Sequence, residues 1–151
     1  MTDLRLTSPA FDDGEPISDR YGYTEEDVNP PLSIDGVPEA AASLLLLVDD
    51  PDAVEPAGHI WDHWLVWDVS PDRESIPEDW SPESATEGQN DYGEVGYGGP
   101  NPADGEHTYR FRLYALDAAL GLLTSADRAA VTDAATGHIL AKATLEGTYA
   151  P

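Results

Sequence analysis

The stretch His107-Thr-Tyr-Arg-Phe-Arg-Leu-Tyr-Ala-Leu116 alternates without a break. Tyr109, Phe111, Leu113 and Ala115 share one side; Thr108, Arg110, Arg112 and Tyr114 share the other. Successive side chains of a strand point to opposite faces, so this period of two predicts a strand with one apolar face. Downstream, Thr124-Ser-Ala-Asp127 has the form of a capping box. The alanine-rich stretch to Thr136 then predicts a helix ended by Gly137. Residues 138–149 alternate again, with Ile139, Ala141, Ala143, Leu145 and Tyr149 against His138, Lys142, Thr144 and Glu146, and predict a final strand. Upstream, Ile60–Val69 reads as a strand with Trp61, His63, Leu65, Trp67 and Val69 on one face and Asp62 and Asp68 on the other. Ser43–Val48 is a continuous apolar run stopped by Asp49-Asp50-Pro51-Asp52, the mark of a buried strand.

The remaining segments connect these elements. Residues 71–106 are dominated by Pro, Gly, Ser and acids, and read as a long loop pinned by Trp80, Tyr92 and Tyr97. The first 40 residues predict one short strand, then ordered loop with a stiff turn at Asn29-Pro-Pro31. Together they predict a mainly β chain: a two-sheet antiparallel or mixed β-sandwich with one or two short helices, forming a single domain over residues 1–151.

Composition narrows the function. A chain of 151 residues can bury about 70% of its unfolded surface, and 40% of this one is hydrophobic. Asp and Glu number 30 against 7 Lys and Arg, a formal net charge of −23. The acids are spread over nearly every segment rather than gathered in a tail. That pattern points to a surface adapted to a salt-rich interior, as in a haloarchaeon, where salt screens self-repulsion. Without a basic patch, nucleic acid is not an expected partner. The absence of cysteine removes disulfides and thiolate chemistry. The longest aliphatic run, Leu44–Val48, is far too short to span a bilayer, so no membrane insertion is expected and the cytoplasm is the expected location.

Three segments carry polar groups that a core does not need. Asp49-Asp50-Pro51-Asp52 ends a buried strand and reads either as an Asx-turn or as a site. His59-Ile-Trp-Asp-His63 has the histidine spacing of a zincin without its glutamate or its helix, so a metal with Asp50 or Asp52 is a minor alternative and none is expected. Gly96-Tyr-Gly-Gly-Pro100, followed by His107-Thr-Tyr109, can bring backbone N–H groups close to an anion. No serine elbow, cysteine nucleophile or phosphate loop ending in lysine is present. No enzyme activity and no cofactor are therefore expected.

Taken in order, these segments resemble the phosphatidylethanolamine-binding protein family in its prokaryotic, Raf-kinase-inhibitor-like branch. The likeness is carried by Ser8-Pro-Ala-Phe11, Pro30-Pro-Leu32, Val48-Asp-Asp-Pro-Asp-Ala53, His63-Trp64, Asn90-Asp91, Gly96-Tyr-Gly-Gly-Pro100, His107-Thr-Tyr109, Phe111-Arg-Leu-Tyr-Ala-Leu-Asp117, Gly137-His-Ile-Leu140 and Gly147-Thr-Tyr149. The resemblance implies a sandwich with a small surface pocket for phosphate-type anions. It places Asp50, Asp52, Ala53 and His63 in that pocket, with Gly98, Gly99 and Pro100 as a wall and His107 and Tyr109 closing it. It also implies a binding or regulatory module, a phosphate-like anion or phosphorylated partner, and, by analogy, a homodimer. The sequence departs from the family pattern at Val54, Asn101 and Thr108, the last replacing an arginine tied to partner recognition.

An anion site on so acidic a chain must rest on short contacts. His63, His107, the Tyr109 hydroxyl and backbone N–H groups of Gly98 and Gly99 are the expected donors. Asp50 or Asp52 is expected to accept from a histidine ring, fix its tautomer and raise it above about 6.5. The alternative to this binding role is a hydrolase or metal-dependent enzyme built on the same Asp and His residues.

Overall fold

A computed structural model describes residues 3–54 and 58–151. In chain order its strands are β1 (Arg5–Thr7), β2 (Leu32–Asp35), β3 (Ser43–Asp50), β4 (Trp61–Val69), β5 (Ser75–Ile76), β6 (Thr86–Glu87), β7 (His107–Leu116) and β8 (Ile139–Tyr149). Helix α1 (Arg128–Ala135) lies between β7 and β8. One sheet runs β1-β2-β5 and the other β6-β4-β3-β7-β8. Every pairing of named strands is antiparallel.

β3 is the central strand of the larger sheet, and all eight of its residues are buried. A strand with two covered faces reads as an unbroken apolar run, which is why Leu44–Val48 shows no alternation. Leu44, Leu46 and Val48 face the smaller sheet and join the main core with Trp64, Val66, Phe111, Leu113 and Leu145. Leu45 and Leu47 face the other way and pack with Leu65, Trp67, Leu116, Val131 and Ala135 beneath α1. β7 and β8 are covered by the main core on their apolar sides, so both keep the clean alternation of a half-solvated strand.

β4 departs from the face assignment that its alternation predicts. Val48 pairs with Trp64 but Asp49 pairs with Asp62, leaving His63 as an extra residue. A second irregularity falls between Leu44 and Leu46, where Asp68 takes a positive φ of 57°. Each β-bulge resets the alternation. Leu65 and Trp67 therefore face α1, whereas Trp64, Val66 and Val69 face the main core.

Three other expectations are corrected. The stretch 71–106 contains two short strands, β5 and β6, which pair with β2 and β4. A strand, β2, also follows the Pro30-Pro31 turn directly. The helix cap is Asp127 rather than Thr124: its side chain accepts from the Ala130 N–H at 3.0 Å. Asp127 is thus the cap itself and not the third residue of a capping box. At the far end Gly137, with φ 85°, supplies the left-handed residue that stops the helix.

Candidate functional site

β3 and β4 meet at an open end of the larger sheet. Asp50 closes β3 with its carboxylate buried on the core side. Oδ1 accepts from the Asp52 backbone N–H at 2.9 Å, the Asx-turn that bends the chain into a 3-10 turn at Pro51–Ala53. Oδ2 accepts from His107 Nδ1 at 2.5 Å. The turn and the side-chain partner are therefore two uses of one carboxylate.

His107 opens β7, and its other nitrogen, Nε2, pairs with Asp104 Oδ1 at 2.6 Å. Burial alone would lower this imidazole, but the hydrogen bonds it gives to Asp50 and then Asp104 outweigh that and raise it above the usual histidine value. With a carboxylate at each nitrogen, the form that donates from both is favoured. His63 is the opposite case. Burial pushes it down despite the Gly98 carbonyl and the nearby aspartates. Its Nδ1 gives its proton to the Gly98 carbonyl at 2.7 Å, so the neutral ring turns Nε2 outward as an acceptor.

Tyr109 lies between the two imidazoles, with ring centroids 5.2 Å from His63 and 6.3 Å from His107. Burial, with the Asp50 charge second, pushes its hydroxyl up, so it remains a proton donor. A cavity of about 280 Å³ is lined by Asp50, Ala53, His63, His107 and Tyr109, with Trp61 and Tyr92 as aromatic walls and Asn101-Pro-Ala103 as a lip. Among the described residues, the Tyr109 hydroxyl and the Trp61 indole N–H are buried without a hydrogen-bond partner. Two unspent donors beside a charged imidazole suit a compact acceptor of negative charge.

Comparison with known proteins places the chain in a family. The family model for phosphatidylethanolamine-binding protein matches residues 7–150. The chain belongs to the phosphatidylethanolamine-binding protein family. A UPF0098 protein of Methanothermobacter thermautotrophicus is 42% identical over 151 residues, covering 97% of this chain and 98% of its own. A Chlamydia trachomatis structure, named as a homologue of phosphatidylethanolamine-binding protein, superposes with a TM-score of 0.90 at 39% identity, covering 99% of this chain and 98% of that one. Escherichia coli YbcL, named a member of the mammalian family, also gives 0.90, at 28% identity, covering 97% of this chain and 98% of that one.

Within this family frame, the nine residues singled out from the sequence divide into two groups. Asp50, Ala53, His63, His107 and Tyr109 line the cavity. Asp52, Gly98, Gly99 and Pro100 brace it from behind. Asp52 Oδ2 accepts from the Thr108 backbone N–H at 2.8 Å, tying the 3-10 turn to β7. The Gly98 N–H is spent on the His63 carbonyl at 2.8 Å, and the Gly99 N–H on Asp27 Oδ1 at 2.7 Å. The expectation that these two N–H groups face an anion is therefore corrected. Glycine is needed there for close packing: a Cβ on Gly98 would stand 2.5 Å from the Tyr92 ring, and one on Gly99 2.1 Å from the Tyr21 carbonyl oxygen.

Trp61, Tyr92, Asn101, Pro102, Ala103 and Asp104 are site or site-edge residues that sequence reasoning missed. Tyr92 could have been found from the Asn90-Asp91 pair before it. Asn90 Oδ1 accepts from the Tyr92 and Glu94 N–H groups at 3.0 and 3.2 Å, while Asp91 Oδ2 accepts from the Asp62 N–H at 2.6 Å. Two short polar side chains inside a long loop mark where that loop is tied down. Asp104 carried no such signal, being one acid among 30.

Proposed function

We propose that this chain binds a small, phosphate-like anion in the cavity between β3, β4 and β7, and works as a binding or regulatory module rather than by turning over a substrate. The observation that carries the reading is the Asp104 carboxylate 2.6 Å from His107 Nε2. The protein's own side chain already presents an anion to that nitrogen. A ligand oxygen takes the same place by displacing Asp104, whose side chain is about half exposed and is rehydrated as it swings into water. The Tyr109 hydroxyl and Trp61 N–H supply further donors, and neutral His63 Nε2 can accept from a protonated phosphate oxygen. A cavity of about 280 Å³ suits such a group and little more.

A binding role is favoured over hydrolysis by how the imidazoles are used. His63 is held neutral by burial with Nδ1 spent on Gly98, and His107 is held between two carboxylates. Neither stands as a free base beside a nucleophile. The anion can arrive free or as a phosphorylated residue of a partner, and the family analogy makes a homodimer the assembly to test.

The test is an NMR titration with inorganic phosphate and with a phosphoserine peptide, read on the backbone amides of Ala53, Ala103 and Tyr109 at the cavity, in wild type and His107→Gln. Saturable shifts in wild type and their loss in the variant support the reading. Shifts that survive in His107→Gln, or none in wild type, reject it. Preference for the peptide over the free ion identifies a phosphorylated partner. Size-exclusion chromatography with light scattering, run on the same samples, reads the assembly state.

A further inference from the structure

The reverse face of the larger sheet gathers cations in a chain otherwise dominated by acid. Of the seven lysines and arginines, Arg110, Arg112 and Arg128 converge on the buried Asp49. Lys142 stands directly opposite Tyr114 in the ladder of β7 and β8, and paired residues of a ladder share a face. Lys142 therefore belongs to the same surface. On this face these four cations stand with three carboxylates, Asp49, Asp62 and Glu146, the last opposite Arg110 in the same ladder, so the cations outnumber them by one. Burial pushes the Asp62 carboxyl up against the pull of Arg128.

The donors of these arginines are only partly spent. Arg128 uses Nη1 for both carboxylates, at 2.7 Å to Asp49 and 2.6 Å to Asp62. Among the described residues its Nε and Nη2 have no acceptor. Arg112 gives one Nη2 hydrogen bond to Asp49, at 2.7 Å, and its Nε is buried without a partner among the described residues. Both side chains line a cavity of about 150 Å³ enclosed by β3, β7 and α1. The rest of the lining is mixed: Leu45, Leu47 and Ala135 form an aliphatic wall, Tyr114, Thr132 and Thr136 bring hydroxyls, and the half-exposed Ile139 stands at the mouth.

We propose that this cavity is a second ligand site, on the opposite face of the sheet from the first, and that it takes a short aliphatic carboxylate. The carboxylate lies against Arg112 and Arg128, whose planar forks match it in bidentate geometry. The hydrocarbon end lies against Leu45, Leu47 and Ile139, where each methylene removed from water adds affinity. Phosphate fits less well, because it leaves the aliphatic wall uncovered and brings extra negative charge toward Asp49 and Asp62. The site shares no residue with the first cavity, so it stands whether or not that one binds an anion.

The test is titration of the full chain with butyrate at fixed ionic strength, followed through the methyl resonances of Leu45, Leu47 and Ile139. Acetate and 1-butanol serve as comparators. Butyrate is expected to saturate and to bind roughly tenfold tighter than acetate, the return on two buried methylenes. Butanol, lacking the charge, is expected not to saturate. Arg112→Lys keeps the charge and loses the fork, and Thr132→Leu fills the cavity from α1 while leaving the ion pairs of Asp49 in place. Arg112→Lys should weaken butyrate roughly tenfold, the loss of one charge-assisted hydrogen bond; Thr132→Leu should weaken it by filling the space the hydrocarbon end needs, and His107→Gln should leave it unchanged. Equal binding of butanol and butyrate overturns the proposal, as does wild-type butyrate affinity in a folded Thr132→Leu variant, or the absence of saturable shifts in wild type.

Discussion

His107 is the residue on which the first cavity turns, because two carboxylates compete for one ring with whatever ligand arrives. Removing Asp104 should free Nε2 without touching the Asp50 contact. Asp104→Ala is expected to raise anion affinity by roughly tenfold, the worth of one charge-assisted hydrogen bond no longer displaced. Calorimetric titration with sulfate, whose charge does not change near neutrality, reads this directly. The same ring sets a pH dependence. Its value in the folded chain is raised above the ordinary one of about 6.5. Binding and the associated stability are therefore fully present below that value and fade as pH rises through the raised one. His63 is lowered and contributes no charge in this window. Sulfate affinity that does not change between about pH 6 and pH 9 would remove His107 from the site. Tyr109→Phe deletes a buried hydroxyl that has no partner among the described residues. It should leave the thermal midpoint equal or slightly higher and still cost several-fold in sulfate affinity.

At the scale of elements, the bulge in β4 and the close packing of the glycine loop hold the site in place. Inserting His63 as an extra residue opposite β3 puts it and Trp64 on the core side together. Gly99 lets the loop lie against Tyr21 and Gly22, and Gly99→Ala is expected to destabilise by about 2 kcal/mol, the cost of overpacking. On the reverse side, burial alone would raise the Asp49 carboxyl, but Arg110, Arg112 and Arg128 outweigh it and hold it below the ordinary carboxylate value. Its contribution is thus present above about pH 4 and is lost as pH falls through the lowered value. Asp49→Asn strips three guanidiniums of their shared anion and should cost about 3 kcal/mol in denaturant unfolding. The faces of β7 and β8 are legible in the sequence, because one face of each is covered by the main core and the other is not. The faces of β4 are not legible, because two bulges break the period that sequence reading relies on.

Across the whole molecule, a net charge of −23 on 151 residues sets the conditions under which any site can work. Self-repulsion among exposed carboxylates opposes the compact state until salt screens it. The thermal midpoint is expected to rise steeply as salt approaches about 1 M, where the Debye length is about 3 Å. A midpoint insensitive to salt would show that the acids are locally compensated. The buried ion pairs around Asp49 should answer to salt far less than the exposed Arg20 pairs with Glu26 and Glu78.

Hydrophobic period, turn residues and an ordered set of motifs are local properties of the chain. They settle the β class, the buried central strand, the position of the helix and the family. Which side of a strand a residue faces after a bulge, and which of 30 acids lands beside a given imidazole, depend on contacts between segments far apart in sequence. Asp50 and His107 are 57 residues apart, and Asp49 and Arg128 are 79 apart. Only closure of the sheet brings such groups into a low-dielectric interior, where burial and pairing drive one histidine neutral and hold another charged.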